Sequence, residues 1–141
     1  MKKLTALVLA LVCVWSMVAC SQQKQFENMV WSDGIGFSEL APNAEVKGSS
    51  EIVIIEENSK LAYVITYGDA SLTLEFGLVA IDGTEYAKRI TGGSDYGFLE
   101  NIPTGIYYLF VRNSGDYTDL PAYQDGSVSF TATGAINYHI E

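Results

Sequence analysis

The last stretch of the chain, residues 128–141, alternates between apolar and polar side chains with a period of two. Apolar or small side chains occupy one parity, at Val128, Phe130, Ala132, Gly134, Ile136, Tyr138 and Ile140. Successive side chains of a β-strand point to opposite faces, so this pattern predicts one strand, or two collinear strands, with one buried and one solvated face. Gly134 lies inside the pattern and predicts a bend or bulge. A strand of this kind needs a second layer of structure to cover its buried face.

Most of the chain after residue 25 has the composition of strands, with Val, Ile, Thr, Tyr and Phe in short runs between turn residues. Helical spacing of apolar residues is not sustained beyond two turns in any of these runs. The predicted strands are residues 29–32, 37–40, 51–56, 61–67, 72–81, 84–90, 96–100, 106–112 and 128–140. These runs predict an all-β fold, a single antiparallel β-sandwich of about 8–9 strands with jelly-roll or Ig-like topology.

The strongest hairpin signal is Asp82-Gly83, which lies between two apolar runs. These residues suit a two-residue type I′ turn, in which both central residues have positive φ. Such a turn pairs Ile81 with Thr84, and its register continues into the two flanking strands.

The same register creates a conflict within the hairpin. It pairs Val79 with Tyr86 on one face, whereas the leucines and the phenylalanine of residues 72–78 lie on the other. A regular strand cannot bury both sets against one core. We therefore predict a β-bulge or a sharp twist near Gly77, and burial of the strand on both faces is the alternative.

The N-terminal segment has the layout of a bacterial export signal. Met1-Lys2-Lys3 is a short positive region, and residues 4–18 form an almost unbroken apolar stretch. A helix needs about 20 residues to span a bilayer, so this stretch is too short for an ordinary membrane span. Small Ala19 then precedes Cys20, where a secretory signal would be cleaved.

Val18, Ala19 and Cys20 resemble the lipobox of bacterial lipoproteins, with Met17 standing where leucine is usual. The resemblance implies cleavage before Cys20, a diacylglyceryl group on its sulfur and, in many bacteria, an acylated amine. Two or more acyl chains hold a protein stably on a bilayer, whereas one chain does so only marginally. A plain secretory signal cleaved near Ala19 and an uncleaved N-terminal anchor are the alternatives.

The resulting domain organisation is a lipoprotein signal peptide at residues 1–19, a lipidated cysteine and polar tether at 20–26, and the β-sandwich at 27–141. The expected location is extracytoplasmic, on the cell membrane or the outer membrane, with the bilayer as a partner through the lipid on Cys20. An extended chain spans at most ~3.5 Å per residue, so this tether keeps the domain close to the lipid surface.

The predicted mature chain is strongly acidic. Lys2 and Lys3 leave with the signal peptide, so six of the eight Lys and Arg residues remain against 17 Asp and Glu, a net charge of −11. Nucleic acid is not an expected partner, because its binding requires a basic surface. Cys13 also leaves with the signal and the sulfur of Cys20 is acylated, so no disulfide, cysteine metal cluster or thiol nucleophile is expected.

The sequence GIYYLFVRNSG, residues 105–115, together with the long terminal strand resembles the end of pre-peptidase C-terminal-type and related jelly-roll sandwiches. In those domains a Gly-x-Tyr opening runs into a Val-rich strand, and a last strand closes the sheet. The matching residues here are Gly105, Tyr107, Leu109 and Val111. The likeness covers the C-terminal third of the chain and implies a type of fold and no activity.

Candidate catalytic residues are few. His139, the single histidine, falls on the polar face of the last strand, and a catalytic role would require a nucleophile and an orienting group nearby. Residues 92–97 do not form a nucleophile elbow, because Tyr96 stands where G-x-S-x-G requires glycine. Glu56 and Glu57 are adjacent at a strand end and point in different directions. We therefore predict no catalytic residues, no metal site and no cofactor.

Residues 113–126, NSGDYTDLPAYQDG, form the one long connection between predicted strands. Long ordered loops frequently carry binding residues. We predict Tyr117 and Tyr123, with Asp116 and Asp119, as ligand contacts, because tyrosine offers apolar area with a polar tip. The alternatives are a Ca²⁺ site that uses these aspartates and Asp125, and a solvated loop whose tyrosines pack locally on the sheet end.

The sequence therefore predicts a surface lipoprotein that is not an enzyme and that binds a partner in the bacterial cell envelope, either a protein or a glycan. One alternative is a carboxylate-based envelope hydrolase, which would need two acids facing each other in a cleft. The other is a structural envelope protein without a specific ligand.

Overall fold

The computed structural model describes Phe26 and residues 29–141, so the predicted signal peptide and the lipidated Cys20 lie outside the described residues. Residues Trp31–Glu141 form one compact unit with nine strands. The strands are β1 (Asp33–Leu40), β2 (Glu45–Lys47), β3 (Ile52–Ile54), β4 (Ser59–Tyr67), β5 (Leu74–Ala80), β6 (Glu85–Ile90), β7 (Ser94–Ile102), β8 (Gly105–Asn113) and β9 (Ala132–Ile140). A short helix, α1 (Pro121–Gln124), interrupts the loop before β9. No helix among the described residues combines the length and the apolar character that crossing a bilayer requires.

The strands form two antiparallel sheets. The four-stranded sheet has the order β1-β9-β4-β7, and the five-stranded sheet has the order β2-β8-β5-β6, with β3 also paired to β8. β2 and β3 pair with successive parts of β8, so they form one interrupted edge strand. Counted in this way, consecutive strands cross between the sheets except at the β5–β6 hairpin, which is the arrangement of a jelly roll. The predicted β-sandwich is confirmed, and of the two topologies left open the jelly roll is observed.

The core lies between the two sheets. Tyr63 of β4 and Phe76 of β5 meet across it with ring centroids 4.5 Å apart. Burial of each large apolar side chain contributes about 1.5–3 kcal/mol, and the sandwich contains no cysteine that could add a disulfide. Core side chains with no exposed surface include Leu61, Tyr63, Ile65, Leu74, Phe76, Leu78 and Ile136.

The first strand differs from its prediction. Residues 29–32 are not in a strand, and Asp33-Gly34, which separates the two predicted early strands, begins β1 instead. Gly34 pairs with Asn137 of β9, and a Cβ on Gly34 would overlap the Asn137 amide oxygen. The glycine that resembles a turn signal in the sequence therefore serves a close contact between two strands.

The β5–β6 hairpin has a three-residue loop in place of the predicted type I′ turn. The N–H of Ala80 donates to the carbonyl of Thr84 at 2.8 Å, and the N–H of Gly83 donates to the carbonyl of Ala80 at 2.9 Å. Gly83 has a φ of 89°, so the loop is a tight turn followed by a left-handed residue, the usual three-residue hairpin. The predicted pairing of Ile81 with Thr84 is wrong by one residue, and Ile81 lies in the loop.

This shift of one residue also removes the conflict that the sequence posed. Tyr86 pairs with Leu78 rather than with Val79, so its side chain lies on the same face as the buried leucine. A one-residue shift moves a strand's side chains to the opposite face. The predicted bulge near Gly77 is wrong, because β5 keeps an unbroken register with β6 and β8 through that glycine.

Gly134 does mark an irregularity, but the extra residue belongs to the neighbouring strand. β9 pairs with β4 without interruption, whereas residues 38–39 of β1 lie opposite the single residue Thr133. Glu39 has a φ of 49°, and its N–H donates to Oγ1 of Thr133 at 3.0 Å. A Cβ on Gly134 would overlap the carbonyl oxygen of Thr66 in β4, so this glycine allows close approach of two backbones.

Candidate ligand-binding cleft

The 113–126 loop is attached to the sandwich through Asn113, a fully buried residue at the end of β8. Its Nδ2 donates to the carbonyl oxygens of Leu40 at 3.0 Å and Phe130 at 2.8 Å. Its Oδ1 accepts a hydrogen bond from the hydroxyl of Tyr117 at 2.7 Å. Because a buried polar group without a partner costs about 1–3 kcal/mol, this one amide holds the end of β1, the chain before β9 and the loop together.

The structure places Tyr117 in the core, with 4% of the residue exposed, rather than on the surface as the predicted ligand contact requires. Its ring stacks on Phe130 with centroids 4.8 Å apart, and its hydroxyl accepts a hydrogen bond from the N–H of Thr73 at 3.0 Å. Burial raises the pKa of the Tyr117 phenol above its ordinary value. A Cβ on Gly115 would overlap this ring, so the glycine makes room for it. Tyr117 therefore lines the cleft as a buried residue with little surface for contact with a ligand.

Tyr123 is the exposed aromatic residue of the loop, with 40% of its surface accessible. Its ring lies 5.8 Å from that of Phe130, so one buried phenylalanine supports both tyrosines of the loop. α1 carries Tyr123 and begins at Pro121, whose fixed φ suits the first helical position. The Gln124 side-chain amide donates to the carbonyl of Thr118 at 3.1 Å and closes the loop on itself.

A cleft of about 340 Å³ lies between this loop and the turn at residues 41–44. Its volume is in the range of small-molecule sites, which are roughly 300–1,000 Å³. Three of the four predicted contact residues line it, and Asp119 does not. The lining is polar apart from two tyrosines and a proline: Pro42, Asn43, Ser114, Gly115, Asp116, Tyr117, Thr118 and Tyr123.

Ser114 lines this cleft, and its hydroxyl is buried without a hydrogen-bond partner in the described part of the chain. The backbone of Ser114 is fixed, because its N–H donates to the carbonyl of Thr73 in the segment leading into β5 at 3.1 Å. On the other side of the cleft, the N–H of Asn43 donates to the carbonyl of Asn113 at 2.7 Å. The loop side and the residue 41–44 side of the cleft are therefore both attached to the C-terminal end of β8.

The loop aspartates serve local turns. Oδ1 of Asp116 accepts hydrogen bonds from the hydroxyl and the N–H of Thr118 at 2.6 and 3.2 Å, and Oδ1 of Asp125 accepts from the N–H of Ser127 at 2.8 Å. Hydrogen bonds from the side chain and backbone of Thr118 lower the pKa of the Asp116 carboxyl, and those from Ser127 lower the pKa of the Asp125 carboxyl. Nowhere in residues 29–141 do three His, Cys, Asp or Glu side chains converge as a metal-binding group, so Asp119 does not form such a cluster with the other two aspartates.

A second polar cluster links the two sheets where β6 and β7 meet. Lys88 Nζ donates to the Tyr63 hydroxyl at 2.6 Å, and that hydroxyl donates to Oδ2 of Asp95 at 2.8 Å. Lys88 and Asp95 also form an ion pair at 3.1 Å. Burial raises the pKa of Tyr63 to about 12, with Asp95 adding to the rise and Lys88 opposing it. The cluster therefore connects the two sheets through side-chain hydrogen bonds and an ion pair.

His139 lies on the outer face of β9, and its Nδ1 is 2.8 Å from the hydroxyl of Ser32. A catalytic serine and histidine need a third group that orients the imidazole. Among the described residues, His139 donates no hydrogen bond to a carboxylate, and neither His139 nor Ser32 lines the cleft. Glu57 accepts a hydrogen bond from the Thr104 hydroxyl at 3.5 Å on the surface. No Asp or Glu is buried among the described residues, so the structure provides no observation in favour of a carboxylate-based hydrolase.

Asn43, Asn113 and Ser114 belong to the site but were not predicted as contacts. Asn43 is far from the loop in the sequence, and no local pattern connects them. Asn113 does carry a signal, because it continues the parity of the inward residues 107, 109 and 111. A polar residue at an inward position predicts a buried and hydrogen-bonded side chain.

No protein-family model matches this chain, and no curated protein matches it in sequence. Among solved structures, a carbohydrate-binding module, CBM36, determined in complex with calcium and xylotriose, is similar to the chain. The two share 18% sequence identity with a TM-score of 0.45, over 82% of this chain and 93% of the other. No residue role is carried over from this likeness.

Proposed function

We propose that this protein is a lipid-anchored binding module of the bacterial cell envelope, and that its cleft takes a neutral, hydroxyl-rich ligand such as an envelope glycan. The observation that carries the proposal is Ser114, a residue that lines the cleft and whose buried hydroxyl has no hydrogen-bond partner among the described residues. An unpaired buried hydroxyl costs about 1–3 kcal/mol, and rotation of the Ser114 side chain towards a ligand hydroxyl in the cleft recovers this cost.

The remaining lining of the cleft supports the same class of ligand. The exposed ring of Tyr123 offers an apolar surface against which a sugar ring packs, and it is held in place by Phe130. The Asn43 amide and the Thr118 hydroxyl add groups that donate and accept hydrogen bonds. The carboxylate of Asp116 lies in the same cleft and disfavours an anionic ligand.

The cleft is tested with an array of neutral oligosaccharides, followed by titration of the best binder and NMR mapping. Tyr123→Ala is expected to weaken the affinity about tenfold, because it removes the packing surface. Ser114→Ala is expected to weaken the affinity while leaving the free energy of unfolding of the free protein unchanged or higher, because an unpaired buried hydroxyl is removed.

Two matched variants separate the cleft from its surroundings. Leu120→Ala removes an exposed side chain from the same loop that does not line the cleft, and Ser38→Ala removes an exposed hydroxyl from β1. Both should bind as the parent protein does. The proposal fails if no oligosaccharide binds, or if Tyr123→Ala and Ser114→Ala bind as well as these two controls.

The lipid anchor is tested separately by Cys20→Ser. The parent protein is expected to partition into the detergent phase with a mass above that of residues 20–141, because acyl chains on Cys20 supply the anchor. The variant should lose both properties and keep the circular dichroism spectrum of the sandwich. Detergent partitioning and a mass shift that survive the substitution would contradict the anchor without bearing on the cleft.

A further inference from the structure

The outer face of the five-stranded sheet differs between its two ends. β8 is an inner strand of this sheet, and its residues 107, 109 and 111 point into the core. Alternate side chains therefore project from the opposite face. These outward side chains are Ile106, Tyr108, Phe110 and Arg112.

One end of this face is covered by the protein's own side chains. The Arg112 guanidinium lies 4.9 Å from the centroid of the Phe110 ring, which has no exposed surface. Arg112 also pairs with three carboxylates, from Glu45 and Glu75 at 2.5 Å and from Glu85 at 2.7 Å. The positive charge of Arg112 is thus paired with carboxylates of the same sheet, and the Phe110 ring is covered by the guanidinium.

The other end of the face is apolar and exposed. Val53 of β3 pairs with Ile106 of β8, and Ile81, in the loop that follows β5, lines the same shallow depression as Ile106. The exposed fractions are 56% for Val53, 37% for Ile106 and 72% for Ile81. We call these three residues the apolar patch. Large exposed apolar clusters with a polar rim mark interaction sites.

Carboxylates border the apolar patch. Glu51 accepts a hydrogen bond from the Tyr108 hydroxyl at 3.0 Å, and Glu57 accepts one from the Thr104 hydroxyl at 3.5 Å beside β8. Asp82 lies in the same hairpin loop as the exposed isoleucine of the patch. The rim of the patch is therefore predominantly acidic.

One lysine lies near the patch and does not offset this charge. Lys47 shares a shallow depression with Ile81 and Tyr108, but its ammonium is 3.6 Å from the Glu45 carboxylate. The patch thus combines an apolar centre with a negative border, and a binding partner must match both.

We infer that the apolar patch is a docking surface for a protein partner whose own apolar side chains are flanked by lysine or arginine. A second copy of this chain is disfavoured, because a two-fold contact would set the acidic rim against itself. An anionic lipid surface is disfavoured by the same charge. The patch is about 23 Å from the cleft along β8, so it is a separate site and does not rest on the proposed glycan ligand.

The test uses a short acetylated peptide of alternating leucine and lysine, with the matched leucine–glutamate and serine–lysine peptides as controls. The leucine–lysine peptide should bind the mature, unlipidated protein at least about tenfold more tightly than either control peptide. The double variant Ile81→Thr/Ile106→Thr should lose this preference, because it removes apolar area and keeps β-branched side chains at both positions.

Val128→Thr is the matched protein control, since Val128 is exposed outside the patch. It should bind the leucine–lysine peptide as the parent does. Equal binding by the double variant, or equal binding of the leucine–glutamate peptide, overturns the inference. A dimer in sedimentation equilibrium that the double variant abolishes would also overturn the inference, because the occupant would then be a second copy of the chain. Binding to vesicles of zwitterionic and anionic phospholipids that the double variant abolishes would overturn it as well, because the occupant would then be a membrane.

Discussion

Replacing Gly77 with alanine is expected to lower the free energy of unfolding by about 3 kcal/mol or more, in a protein whose total stability is of the order of 5–15 kcal/mol. The added Cβ would overlap the carbonyl oxygen of Tyr86 and lie 2.7 Å from Cα of Ala87. Both of these atoms belong to the backbone of β6, so no side-chain rotation relieves the overlap. β5 cannot move away either, because β8 binds its other edge in continuous register.

Gly36→Ala is the matched control for this prediction. Gly36 is also a strand glycine, but the nearest atom to an added Cβ is the carbonyl oxygen of Gly134 at 3.9 Å. Its substitution should change the free energy of unfolding by less than about 0.5 kcal/mol. Urea unfolding followed by circular dichroism measures both variants. Equal stabilities for the two variants would mean that β6 yields to the added methyl group.

Gly77 also illustrates how far the fold could be predicted from the sequence. Alternating apolar side chains predict the strands, because burial of one face depends only on residue type and period. The conflict at residues 72–86 was real, but it was wrongly assigned to a bulge or twist near Gly77. The actual cause is the hairpin loop, in which one additional residue, Ile81, shifts the register. Asp82-Gly83 suits both loop lengths, and only pairing within the whole sheet decides between them.

The short edge strand β2 was not predicted, whereas the edge strand β6 was predicted to within one residue. β2 is a three-residue strand, and one apolar residue, Val46, lies between charged Glu45 and Lys47. The backbone of β2 forms hydrogen bonds with β8, and its own composition does not favour a strand. The topology that distinguishes a jelly roll from an Ig-like sandwich depends on such edge pairings. Local patterns do not contain this information.

The candidate site was located by loop length, but its internal arrangement could not be deduced from the loop. Tyr117 and Tyr123 are equivalent in composition, yet the first is buried on Phe130 and the second is exposed. The difference arises from Asn113, which binds the hydroxyl of Tyr117 and thereby selects the tyrosine that turns inward. The apolar patch was also not predicted, because its residues come from two strands and a hairpin loop that are distant in the sequence.

Asn113→Ala is expected to lower the free energy of unfolding by about 4 kcal/mol. The substitution leaves two buried carbonyl oxygens, of Leu40 and Phe130, and the Tyr117 hydroxyl without the partners that Asn113 supplies. Each buried group that loses its partner costs about 1–3 kcal/mol, and the missing side-chain volume adds a small cavity term. Asn137→Ala, at an exposed position of β9, is the matched control and should be close to neutral.

A double-mutant cycle isolates the part of this cost that shapes the cleft. Tyr117→Phe alone should cost about 1–2 kcal/mol, because it removes the hydroxyl that joins the loop to Asn113 and Thr73. In the Asn113→Ala background the same change should cost less, with a coupling energy of about 1 kcal/mol, because one of the two hydrogen bonds is already absent. Additive effects, measured by urea unfolding at neutral pH, would show that the amide and the phenol stabilise the sandwich independently. The loop would then be held by the ring stacking on Phe130, and the position of Ser114 in the cleft would not depend on Asn113.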